Sequence, residues 1–237
     1  MNPEIIPFGE QALLIRFPQD INPDIHESVI FLDQQIRAAQ WSGLRFQSLA
    51  YASIHIGFDP FMVSFSSLKK KIESFFPLKP ASQLASYQDF LIPVCYEASY
   101  ALDQDSLSRQ SGLSWNEIIL THTETSYRVY MLGFLPGFAY LGKNPAGLHC
   151  QRKPQPRQKV PGQSVAIAGA QSGIYPFDAP GGWQILGRSP MRPFDPRRKD
   201  PFLFSSGDRV RFVSISQADY TRVEKSVDAE PDYRFHG

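Results

Sequence analysis

From Tyr127 onward the chain is cut into short β-rich runs, Tyr127 to Phe134, Ser164 to Gly169, Trp183 to Arg188 and Arg209 to Ser216, divided by clusters of glycine and proline. Runs this short cannot bury a face alone. They must close on one another, so this half of the chain is expected to form a β-barrel or sandwich. A further run, Phe90 to Tyr96, reads as a strand of the same body. Ser114-Trp-Asn-Glu117 is a capping-box pattern, in which the two side chains satisfy free backbone N–H groups and open a short helix toward Thr121. Apart from a helix start at Asp103, no other stretch beyond residue 90 reads as helical, and the polar residues after Gln217 read as a loose tail.

The first third has a different grammar. Residues 12 to 17 form a buried-strand pattern, and Asn22-Pro23 then supplies an N-cap and a proline suited to the first helical position. Ile25, Val29, Leu32 and Ile36 recur at helical spacing, which predicts a helix to about Gln40. Ser53 to Asp59 alternates with period two, as a half-buried strand does. Ser64 to Phe76 places Phe65, Leu68, Ile72 and Phe75 on one stripe before Pro77 and Pro80 stop the helix. Lys79 to Gln88 lacks apolar periodicity and reads as a linker. The expected organisation is an α+β protein with an α/β domain over 1–86 and a β-barrel domain over 87–237.

With 24 basic and 23 acidic side chains, no global field exists to hold nucleic acid or an anionic membrane. The two cysteines, Cys95 and Cys150, are too few for a disulfide framework or a four-ligand zinc site and read as reduced and structural. The start lacks the basic-then-apolar order of a signal peptide, and no apolar run approaches the length that spans a bilayer, so a cytoplasmic protein is expected.

Four segments carry candidate chemistry. Gly133-Phe-Leu-Pro-Gly-Phe-Ala-Tyr-Leu-Gly142 crowds aromatic rings, among them Phe134 and Phe138, onto a loop fixed by glycine and proline; alone it reads as a pinned turn. Gly169-Ala-Gln-Ser-Gly-Ile-Tyr-Pro176 and Ala179-Pro-Gly-Gly-Trp183 place Gln171 and Tyr175 beside glycines, either as ligand contacts or as barrel corners. Arg152 to Lys159 concentrates four cations, which suit either an oxyanion or a solvated face. His122 follows a short helix and suits acid/base work, a phosphate contact, or a hydrogen-bonded place in the fold. Asp103 stands at a helix start, where capping is its expected job. His26, His55, His149 and His236 form no metal-ligand pattern, and no nucleophile elbow is present.

The ordered string Thr121-His122, Tyr127 to Gly142, Arg157, Val160-Pro161, Ser164 to Gly169, Gln171, Gly173 to Pro176 and Pro180 to Arg188 resembles the family that contains allophanate hydrolase subunit 1 and the 5-oxoprolinase B subunit. Gly9 to Ile15 and the Tyr51 to Asp59 strand resemble its first domain. Some positions depart: Glu10 stands for a usual Asp, Ala170 and Ser172 for a usual Gly and Thr. Val160-Pro-Gly-Gln-Ser164 replaces a usual Val-Pro-Ala-Gly-Ser, which moves the glycine of that turn.

The resemblance implies a ferredoxin-like N-terminal domain followed by a cyclophilin-like β-barrel, without implying prolyl isomerase activity. It implies the B subunit of an ATP-dependent 5-oxoprolinase, which with a homologous C subunit and a separate A subunit converts 5-oxoproline to glutamate while ATP becomes ADP and phosphate. ATP is used by the complex, and no metal is assigned to this chain. The roles expected by resemblance are catalytic for His122, Arg157 and Gln171, and substrate-binding for Tyr175, Gly181, Gly182, Trp183, Phe134 and Phe138, with the three catalytic side chains meeting in one polar recess that a partner completes. The same family includes an inhibitor of a sporulation histidine kinase, so a regulatory binding protein is the alternative.

Overall fold

The structure, a computed structural model, describes residues 2–78 and 87–235. Most of the expected linker, Lys79 to Ser86, and His236 therefore lie outside the described residues. The chain divides into two compact units, Met1–Ser86 and Tyr87–Gly237.

The first unit runs β1 (Glu4–Pro7), β2 (Ala12–Arg16), α1 (Pro23–Ala38), β3 (Leu44–Ala50), β4 (Ser53–Phe58) and α2 (Phe65–Glu73). Its sheet has the order β1-β2-β4-β3. Because β4 pairs antiparallel with both β2 and β3, those two strands run parallel on either side of it, with α1 as their connection. The helix starts where the sequence places it: the Asn22 side chain accepts from the Asp24 and Ile25 amides, and proline occupies the first turn. Val29, Leu32 and Ile36 of α1 and Leu68 and Ile72 of α2 then close one core with Leu13, Ile15, Ile54 and Ile56 from one face of the sheet.

The second unit contains β5 (Asp89–Val94), α3 (Gln104–Ser111), α4 (Trp115–Glu124), β6 (Ser126–Leu132), β7 (Ala139–Gly142), β8 (Arg157–Val160), β9 (Ser164–Ala168), β10 (Gln171–Ile174), β11 (Ala179–Gly181), β12 (Gln184–Arg188), β13 (Arg209–Ser214) and α5 (Gln217–Ala229). Seven strands form one sheet of order β12-β9-β10-β7-β6-β13-β5, and β8 and β11 make a separate ribbon. The two ends of that order meet through a Cys95–Arg188 bridge, with amide-to-carbonyl distances of 2.9 and 3.1 Å, so the sheet nearly closes into a barrel. Ser114 and Glu117 form the expected capping box at the start of α4. Both cysteines are free and buried.

Alternation along the barrel strands creates two cores from one wall. Val165, Ile167, Ile174, Leu141 and Leu186 point into the barrel and pack with Phe212, Tyr127 and the helices. Their neighbours Ala166, Ala168, Tyr175 and Ile185 point outward and pack with Phe138 and Trp183. Small outward residues leave room for the rings: a Cβ on Gly173 would lie 2.8 Å from Phe138 and 2.9 Å from Trp183.

The β8–β9 turn places a residue other than glycine in the left-handed region. Gln163 adopts a left-handed φ of 62°. Its amide donates to the Tyr175 carbonyl and its side chain to the Pro176 carbonyl. That draws the 175–177 backbone so close that a Cβ on Gly162 would sit 2.8 Å from Phe177 Cα.

One sequence expectation is corrected. The residues after Gln217 form helix α5, because Ser216 caps its first turn and Tyr220, Val223 and Val227 make a buried stripe that the polar average conceals. Helix α3 follows the helix start read at Asp103, with Leu107 as its buried residue.

Gly187 lies at the barrel closure, where a Cβ would meet the Cys95 carbonyl oxygen at 2.6 Å. Gly187→Ala is expected to lower stability by about 1–3 kcal/mol in urea denaturation, the range for a forced overpacking. An unchanged midpoint would mean that the seam yields freely.

Candidate functional site

Ser172 and Gln171 are successive residues of β10, so their side chains leave opposite faces of the barrel wall. Ser172 faces inward. It meets His122, which is 0% exposed on the inner side of α4. The imidazole stacks on Phe212 at 4.3 Å between centroids, its Nδ1 shares a 2.7 Å hydrogen bond with the Tyr96 hydroxyl, and its Nε2 makes a long 3.5 Å contact with Ser172 Oγ. Ser172 donates its own proton to Asn144 Oδ1 at 3.0 Å. The arrangement therefore puts the ring proton on Nε2 and leaves Nδ1 to accept from Tyr96. Burial pulls the imidazole down to about 3 and pushes the Tyr96 and Tyr127 hydroxyls up.

Arg157 lies on the other side of that wall. As the first residue of β8 it is paired with Gly181 of β11, and its guanidinium grips Asp103 with two hydrogen bonds of 2.7 and 2.8 Å. Lys153 Nζ reaches the same carboxylate at 2.8 Å, and the Ile185 amide of β12 donates to it at 2.8 Å. Burial by itself would raise the Asp103 carboxyl, but Arg157, the Ile185 amide and Lys153 together outweigh it and hold it below the usual carboxylate range. Asp103 makes no capping bond to α3; this corrects the capping expectation, because a buried carboxylate gains more from two cations and a strand amide than from one helix N–H.

The aromatic residues expected to bind substrate pack on each other. Phe138 meets Tyr175 edge-on at 5.0 Å and Trp183 at 5.4 Å, and these three rings are 1%, 1% and 5% exposed. Gly181 is where Tyr175 needs it, since a Cβ there would lie 2.1 Å from the hydroxyl oxygen. Gly182 accepts from the Lys153 amide at 2.7 Å and so anchors the basic segment. Phe134, at φ 70° and 64% exposed, projects from the loop while packing edge-on against Phe138. The Arg152 guanidinium lies over the Trp183 ring at 5.7 Å.

The expected single recess for His122, Arg157 and Gln171 is thus corrected. Arg157 and the Phe138–Tyr175–Trp183 cluster occupy the outer side, where Gln171 also points, whereas His122 is sealed inside the barrel. Sequence reasoning misses Asp103 and Lys153 as partners of Arg157, and no local signal could pair Asp103 with cations some fifty positions away. Among the described residues no cluster of His, Cys, Asp and Glu has metal-holding geometry, and no helix is long and apolar enough to cross a membrane.

Both buried nodes lend themselves to measurement. Because the folded pKa of His122 lies below that of the unfolded chain, its contribution is neutral above about pH 6.5, and stability falls as the pH drops from there toward 3, by at most about 1.4 kcal/mol per unit. His122→Gln should flatten that slope in urea melts taken between pH 7 and 5; an identical slope would show that the imidazole is not held neutral. Asp103→Ala should cost about 2–4 kcal/mol, less than a fully buried pair because Arg157 and Lys153 can turn to water, and calorimetric unfolding will read it.

The family described as carboxyltransferase domain, subdomain C and D, matches residues 3–204. The B subunit of 5-oxoprolinase from Bacillus subtilis (strain 168) is 34% identical over 227 residues, covering 92% of this chain and 95% of that one. The solved structure of TTHA0988 is similar at 33% identity and a TM-score of 0.77, over 87% of this chain but only 40% of that one. Urea carboxylase of Kluyveromyces lactis shares the fold at 17% identity and a TM-score of 0.77, over 95% of this chain and 23% of the enzyme. A two-unit chain with a seven-stranded, nearly closed barrel, matched along most of its length by these proteins, belongs to the carboxyltransferase domain family of subdomains C and D, together with its relatives from 5-oxoprolinase.

Proposed function

We propose that this chain is the B subunit of an ATP-dependent 5-oxoprolinase, acting with a homologous C subunit and a separate A subunit. The observation that carries the reading is the match to the Bacillus subtilis 5-oxoprolinase component along 95% of that protein's length. The order β1-β2-β4-β3, with β2 and β3 parallel across β4, supports a ferredoxin-like ancestry for the first unit, its fourth strand supplied from the front of the chain. The near-closed second unit supports the cyclophilin-like assignment.

The chemistry explains the need for ATP. An unstrained five-membered lactam is a poor electrophile, and transfer of a phosphoryl group to its carbonyl oxygen would expose the carbon to water. Charge then develops on phosphate and carboxylate oxygens, and preorganised cations are what stabilise it. In our reading Arg157, held rigid by Asp103, orients an oxyanion on the outer face of the barrel, and Gln171 contributes from the same face. Tyr175, Trp183, Phe138 and the glycines Gly181 and Gly182 shape that face, and exposed Phe134 contributes to the seam with a partner. His122 acts as a positioning residue: neutral and buried, it holds Ser172 and hence β10 in place.

Co-expression with the C and A subunits should yield ATP-dependent release of glutamate from 5-oxoproline, and omission of this chain should abolish it. Equal release without it would sink the proposal and favour a regulatory role. Within the active complex, Arg157→Ala should lower coupled turnover by about tenfold or more while the complex still elutes intact from a sizing column.

A further inference from the structure

Strands β5 and β13 are a parallel pair in the barrel sheet, and an open cleft of about 610 Å3 lies where the chain leaves their carboxyl ends. One wall is the start of α4, through Trp115 and Ile119; the other is the approach to α5, through Ile215 and Ser216. Hydrogen bonds tie these pieces into one site. The Trp115 indole Nε1 donates to the Tyr96 carbonyl at 3.2 Å, and the Ile215 amide donates to the Val94 carbonyl at 3.0 Å. Glu97, which follows Tyr96, accepts from the Gln217 amide through Oε1 at 2.9 Å, and this carries its carboxylate across to the first turn of α5. Both Trp115 and Glu97 line the opening, the first half-buried and the second exposed, so one occupant can touch both.

The lining dictates the chemistry of that occupant. Glu97 is its one charged residue, and among the described residues no cation pairs with it. The α5 amide uses one oxygen of a group that offers acceptor sites on two. Trp115 and Ile119 lie partly buried against the barrel core, and Ile215 is partly exposed beside them. An anion is repelled here, and a wholly apolar group would strip water from a carboxylate without replacing it. A complementary group has an apolar stem and a cationic end. The guanidinium of arginine is planar and weakly hydrated, stacks on aromatic rings while its N–H edge meets a carboxylate, and sits on three methylenes that cover apolar surface.

We infer that the cleft is a docking site for an arginine side chain presented by a partner protein, with the guanidinium between Glu97 and Trp115 and the stem over Ile119 and Ile215. Arginine is enriched at protein interfaces, where lysine is depleted. Arg157, Gln171 and the outer aromatic cluster contribute nothing to this lining, so the inference does not depend on the oxoprolinase reading.

The test titrates the full chain with Nα-acetyl-arginine methylamide and follows the Trp115 indole N–H in proton–nitrogen correlation spectra, assigned by its loss in Trp115→Phe. The resonance should move, with saturation in the millimolar range expected of a single side chain. Glu97→Gln keeps an oxygen for the Gln217 amide, so α5 keeps that bond; it should raise Kd about three- to fivefold, the size of an exposed ion pair, and added salt should weaken binding to the unmodified chain in the same sense. Nα-acetyl-norleucine methylamide, which has the stem without the charge, should move the resonance far less. A Trp115 resonance that ignores the arginine probe, that moves equally with the norleucine probe, or that gives the same Kd in Glu97→Gln overturns the inference.

Discussion

The outer half of the barrel unit is organised by one carboxylate. Asp103 is buried, and an ionised carboxyl in such a place is intolerable without compensating donors. It receives them from the ribbon through Arg157, from the basic segment through Lys153 and from the barrel wall through the Ile185 amide. Three pieces of chain that share no sheet hydrogen bonds are thereby fixed to one another. None of these contacts is useful alone: the cations without the carboxylate would return to water, and the carboxylate without them would have to take up a proton. Their simultaneous arrival at Asp103, together with the Lys153 amide bond to the Gly182 carbonyl, holds the ribbon against the wall.

How much of this is legible in the sequence depends on the range of the interaction. Local signals point the right way at Asn22-Pro23, at the Ser114–Glu117 capping box and along the stripe of α1, because a cap or a helical face involves residues within a few turns of each other. Helix α5 escapes such a reading because its three buried residues are outnumbered by polar ones, and a polar average hides a narrow stripe. At the site, the aromatic and glycine segments stand out, but the partition of their side chains between the inside and the outside of the barrel does not. That partition turns on strand register, and register is fixed by pairings between distant segments.

The separation of His122 from Arg157 shows how a single wall can serve two environments. Inward residues of β9 and β10 join a sealed core in which histidine is neutral and hydrogen-bonded, and outward residues of the same strands support cations open to solvent. A histidine close in sequence to a functional loop is thus no guide to access. Here its ring is packed into the core, with Nε2 3.5 Å from Ser172 on the strand whose preceding side chain, Gln171, looks out.

The left-handed turn at Gln163 bears on how this sequence can change. Glycine at 163 would remove the backbone strain, but also the amide side chain that pulls the 175–177 strand end inward. Alanine at 162 needs that strand end to retreat, which the Gln163 side chain prevents. The two positions are therefore coupled: what residue 162 can be depends on where the 175–177 backbone lies, and the side chain of residue 163 helps to hold it there.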